Sequence, residues 1–115
     1  MPTTIISGKI SQDELKQLAQ ESFGDMVKAV VDIEKGILAV GGELHADAEA
    51  ILLQDGSEQK NLWGINLYPT KEKADIIEFS SLINIRPALG NRSILIQDEE
   101  VKNKIRKIID EFLWT

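Results

Sequence analysis

Apolar positions recur along this chain with two different periods, and the elements change where the period changes. Leu15, Leu18, Ala19, Ser22 and Phe23 repeat at helical spacing. They follow Ser11-Gln12-Asp13-Glu14, a capping-box pattern in which Ser11 and Glu14 satisfy free amides reciprocally, and Gly24 supplies the stop. From Met26 to Ile33 the period becomes two. Val27, Ala29, Val31 and Ile33 share one face of a strand, with Lys28 and Asp32 on the other. Glu34-Lys35-Gly36 reads as a three-residue hairpin loop with Gly36 left-handed, and Ile37 to Val40 returns as the partner strand. Gly41-Gly42 then ends regular pairing, or admits a bulge or a close backbone approach. Ahead of the first helix, residues 3–7 form a β-prone lead that reads as an edge strand.

The middle of the chain is where the periods compete. Leu44, Ala48, Ile51 and Leu52 fit a helix over 45–56 that Gly56 would cap. A strand reading alternates Glu49, Ile51 and Leu53 with Ala50, Leu52 and Gln54, and leaves a long hairpin loop at 55–61; the helix is preferred. Leu62–Tyr68 is a strand with Trp63, Ile65 and Leu67 on its apolar face, ended by Pro69. Ile76–Arg86 is a second, with Ile77, Phe79, Ile83 and Ile85 on one face and Glu78, Ser80, Asn84 and Arg86 on the other. Pro87 and Gly90 open the loop 87–93. If these strands pair, their polar faces merge into a patch of Asn66, Tyr68, Ser80, Asn84 and Arg86. After a brief apolar link at 94–96, Asp98-Glu99-Glu100 places acids at the positive end of a last helix. Its stripe is Val101, Ile105, Ile108 and Phe112, widened by Ile109 and Leu113, and Trp114 is expected to cover the core edge. The order is α-β-β-α-β-β-α. This predicts an α+β fold in one domain over residues 1–115, an antiparallel sheet of about four strands with helices packed on one face.

Composition narrows the class. The chain has 115 residues and no cysteine, so disulfides, thiolate metal sites and thiol nucleophiles are excluded. The N-terminus lacks the features of a signal peptide and no apolar run approaches a membrane span, so a cytoplasmic protein without membrane partners is expected. Net charge is −6, unevenly spread: residues 1–78 carry 7 Lys/Arg against 14 Asp/Glu, and residues 79–115 carry 6 against 5. Such a molecule repels nucleic acid. No acid lies between Glu78 and Asp98, whereas Arg86 and Arg92 do, which leaves room for a local anion site.

Three stretches together carry a resemblance: Gly41-Gly42-Glu43-Leu44-His45-Ala46-Asp47, Asn61 to Pro69, and Ile83-Asn84-Ile85-Arg86-Pro87 with Gly90-Asn91-Arg92-Ser93. The chain resembles, over nearly its full length, a family of small bacterial and archaeal proteins known as a domain of unknown function. The resemblance implies no activity, cofactor or site.

The residues therefore carry the functional expectation. Glu43, His45, Asp47 and Glu49 alternate, but on a helix they fan out by about 100° per residue. With one histidine and no cysteine a zinc-type site is not expected, and the residues name no cofactor. His45, the sole histidine, is a candidate acid or base. Arg86 and Arg92 flank a turn and could form a fork for carboxylate or phosphate; alternatively Arg86 pairs with Glu78 or a helix carboxylate. The expected function is a binding domain for a small anionic ligand or a protein partner, using Asn66, Tyr68, Asn84, Arg86, Asn91 and Arg92. A homodimer through an open sheet edge is a corollary. The alternative is a small hydrolase or nuclease-like enzyme in which Arg86 or Arg92 stabilises anionic charge near His45, within about 8 Å.

Overall fold

The protein is described by a computed structural model over residues 3–6 and 8–114. Ser7, expected at the end of the lead strand, and the side chain of Trp114 lie outside the described residues. The chain runs β1 (Thr3–Ile6), β2 (Ile10–Ser11), α1 (Gln12–Ser22), β3 (Val27–Asp32), β4 (Ile37–Gly41), α2 (His45–Gln54), β5 (Leu62–Leu67), β6 (Ile77–Glu78), α3 (Glu99–Phe112) and β7 (Leu113–Trp114). An antiparallel sheet has the order β1-β4-β3-β5-β6. A separate parallel ribbon pairs β2 with β7, tying the start of α1 to the end of α3.

Local chemistry places several of these elements as expected. Ser11 and Glu14 form the capping box of α1, and Asp98 caps α3 by accepting from the Glu100 amide at 2.8 Å. The hairpin between β3 and β4 turns through residues 33–36 with Gly36 at φ 69°. Asp32 fixes that turn. Its Oδ1 accepts from the amides of Glu34 and Lys35, and its Oδ2 accepts from the Ser57 hydroxyl at 2.6 Å, so its buried carboxylate is fully engaged. Residues 45–54 are helical, as preferred.

The layering differs from the expectation in three ways. The sheet has five strands rather than about four, because the lead segment pairs with β4. Helices cover both faces rather than one. Val27, Ala29 and Val31 of β3 and Trp63, Ile65 and Leu67 of β5 pack with Leu15, Ala19, Ile105, Ile109 and Phe112 of α1 and α3. On the opposite face Val30, Ala39 and Leu62 pack with Ala48 and Leu52 of α2. The physical reason is that β3, at the centre, buries residues of both parities, so one helical layer could not keep it dry. Finally, Ile76–Arg86 is not a continuous strand. Pairing stops after Glu78, and tight 3-10 turns follow at Leu82–Asn84 and Pro87–Leu89, pinned by bridges Ser80↔Leu95 and Arg86↔Asn91. This irregular segment presses onto β5 at Gly64, where a Cβ would lie 2.5 Å from that of Ser81.

Candidate functional site

The polar patch anticipated on β5 and its neighbour is not an open surface; α2 and the 80–91 segment lie over it. Beyond β6 the edge of β5 would expose backbone groups, and side chains take the place of the missing strand. Asn84, 0% exposed, accepts from the Gly64 amide at 2.8 Å and donates to the Gly64 carbonyl at 2.9 Å and the Ile94 carbonyl at 3.1 Å. Arg86 donates to the carbonyls of Leu62 and Gln59, and its guanidinium pairs with Glu49 of α2 at 2.8 Å. The alternative pairing with a helix carboxylate is the one found. Burial lowers the Arg86 pKa, and the charge and hydrogen bond of Glu49 oppose that shift. Asn91 is buried and donates to the carbonyls of Asn84, Ser93 and Leu95 while accepting from the Gln97 amide. Thus Asn84, Arg86 and Asn91 hold the fold together. Tyr68 donates to Glu78 at 3.2 Å, and Arg92 is exposed.

His45 and Asn66 come together elsewhere. Gly41 and Gly42, at φ 104° and 84°, swing the chain out of β4 and onto the second sheet face. The Asp47 carboxylate then accepts from the Leu44 amide at 3.0 Å and starts α2. His45, the first helical residue, is thereby laid on β5, its Nε2 2.8 Å from the Ile65 carbonyl. A carbonyl only accepts, so Nε2 carries the proton and Nδ1 keeps a lone pair in the neutral ring. Burial is the main force holding the His45 pKa below its ordinary value, and the Lys28 charge adds to it; the Ile65 carbonyl and the Asn66 side chain oppose.

His45 and Asn66, each 8% exposed, line a hollow of about 440 Å³ between the start of α2 and residues 80–83. Its walls are apolar: Met26, Leu44, Leu82, Ile83 and Ile94. Its other polar groups are Lys28, Ser80 and Ser81. Lys28 and Asn66 are cross-strand partners and so project side by side from the same sheet face. Asn66 donates from Nδ2 to Glu78 at 2.7 Å and to the Ser80 carbonyl at 3.4 Å, while its buried Oδ1 has no hydrogen-bond partner among the described residues. Leu82 is 78% exposed and Leu44 61%, and the two stand together at the rim of the hollow. Leu44 also occupies the N-cap position, where an oxygen-bearing side chain is the stabilising choice.

The alternating acids of 43–49 disperse. Glu43 is exposed, Asp47 caps Leu44 and Glu49 pairs with Arg86. Lys28, Leu44, Leu82 and Ile94 were not marked as site residues by sequence reasoning. The signal for Lys28 was its place on the polar face of its strand, but only the β3–β5 pairing puts it beside Asn66.

Among the described residues no helix is long and apolar enough to cross a membrane. Neither a curated protein nor a solved structure matches the chain. The family described as Protein of unknown function (DUF5674) matches residues 4–112, with all three stretches on which the resemblance rested inside the matched span. The chain belongs to that family.

Proposed function

We propose that this protein is a ligand-binding domain whose site is the hollow between the start of α2 and residues 80–83. The observation that carries this reading is a buried histidine and a buried asparagine at the floor of an apolar-walled cavity with an exposed leucine rim. Ligand sites have this make-up, mostly apolar with a few fixed polar groups, and a volume of this order. Leu44 adds weight, since a residue that breaks a local capping preference is often retained for function. Of the six expected binding residues the reading keeps Asn66, adds His45, and leaves out Tyr68, Asn84, Arg86, Asn91 and Arg92, which do not line the hollow.

The acid/base reading has less support. The carbonyls that anchor His45 and Arg86 lie three residues apart on β5, about 10 Å along a strand. Arg86 is already paired, with Glu49.

The test is a fragment screen followed by amide chemical-shift mapping. Ala46 is exposed and lines the hollow, so Ala46→Trp closes it without touching the core. Fragment-induced shifts at Ala46, Asn66, Ser80 and Ser81 that vanish in Ala46→Trp are expected. Shifts confined to other surfaces, or unchanged in the variant, contradict the reading.

A further inference from the structure

We propose that this hollow takes a small apolar carboxylate, its body against Met26, Leu44, Leu82 and Ile94 and its charged head beside Lys28 and the first amides of α2. The proposal deepens the binding reading above and rests on it.

Charge is the first argument. On a chain of net charge −6, Lys28 is the only Lys, Arg, Asp or Glu among the described residues that line the hollow. The nearby acids are turned away or engaged. Asp47 faces Gly42 and Thr3, where a Cβ on Gly42 would lie 3.1 Å from Asp47 Oδ2 and 3.0 Å from Thr3 Oγ1. Glu78 does not line the hollow and accepts from Asn66 and Tyr68. Glu43 is exposed and does not line the cavity.

Donors are the second. α2 presents its positive end here, and Ala46, in its first turn, lines the hollow. Ser81 Oγ accepts from the Ile83 amide, which leaves its own hydroxyl proton free to donate.

Asn66 points to the same site independently of the helix end. Asn66 is more than nine-tenths buried, and its Nδ2 is pinned toward two acceptors, Glu78 and the Ser80 carbonyl. That fixes the side-chain orientation and leaves Oδ1, beside His45, without a hydrogen-bond partner among the described residues. An anion in the hollow favours the imidazolium form of His45. The ring then takes a proton from solvent and has a second N–H to give, for which Asn66 Oδ1 is the waiting acceptor. Carboxylate binding and proton uptake by His45 are thus coupled.

Hexanoate, hexan-1-ol and hexylamine share one apolar body and differ only in the head, so they test the head group directly. Titrated into the full chain with amide shifts as the readout, hexanoate is expected to bind at least about tenfold more tightly than hexan-1-ol, and hexylamine most weakly. Lys28→Met should weaken hexanoate about tenfold and leave hexan-1-ol unchanged, and Ala46→Trp should abolish both. Equal binding of hexanoate and hexan-1-ol, both lost in Ala46→Trp, would overturn the carboxylate class while leaving the hollow as a binding site. Hexanoate shifts that survive Ala46→Trp, or no hexanoate binding at all, would overturn the proposal outright.

Discussion

Asn84, expected as a ligand contact, spends its polar groups inside the fold. Its amide carries both a donor and an acceptor, the pair needed to close the β5 edge at Gly64, and it is fully buried in doing so. Asn84→Ala leaves the Gly64 amide and carbonyl unmet in the interior. A loss of about 3 kcal/mol or more is expected in urea unfolding, with no change in hexanoate affinity beyond that due to unfolding. Arg86 behaves alike. Arg86→Ala strands Glu49 and two carbonyls, so it should cost about 3 kcal/mol, and Glu49→Ala on that background should cost little more. Strict additivity of the two would show that the pair is not coupled. The sequence offers Arg86 a helix carboxylate without saying which, and the other partnerships are not legible in it, because each joins residues 20 or more positions apart.

Elements were legible to the extent that their cause was local. α1, the β3–β4 hairpin and α3 are written in caps, turn residues and a single hydrophobic period, and all three formed where those signals stood. α2 was harder to read because it packs against the sheet while Leu53 on its outer side and Leu44 at its N-cap are exposed, so its pattern is mixed. The segment after Glu78 alternated like a strand, but Ser81 bonds back to Ile83 and Pro87 starts a 3-10 turn, and these local bonds displaced pairing. At this scale the pH dependence belongs to α2. Burial holds the folded pKa of His45 below 6.5, so the unfolded chain binds the proton more readily. The stability that His45 contributes is therefore complete above pH 6.5 and is lost as pH falls from there through the lowered folded value. Thermal unfolding should show a decline below pH 6.5 that is smaller in His45→Gln, whose amide can still reach a carbonyl. An identical decline in both proteins would assign it to other groups.

For the whole molecule the class was legible and the layering was not. Alternation predicts which residues of a strand share a face, but it does not say which helix covers which face, and the burial of both faces of β3 decided that here. The candidate site was half legible. His45 and Asn66 were marked, but Lys28 and the leucine rim came from strand order and from the turn segment laid over β5. Strand order also bears on the expected homodimer. Asn84 and Arg86 close the β5 edge beyond the two-residue β6, which leaves β1, at four residues, as the longer edge strand for a dimer by strand addition.

Because His45 is the only histidine, its ring nitrogens can be followed by long-range proton–nitrogen NMR across pH without ambiguity. In the free protein the neutral ring should be protonated on Nε2 with a midpoint below 6.5, and hexanoate should move that midpoint upward. A ring protonated on Nδ1, or a midpoint that hexanoate leaves in place while binding, would contradict the account.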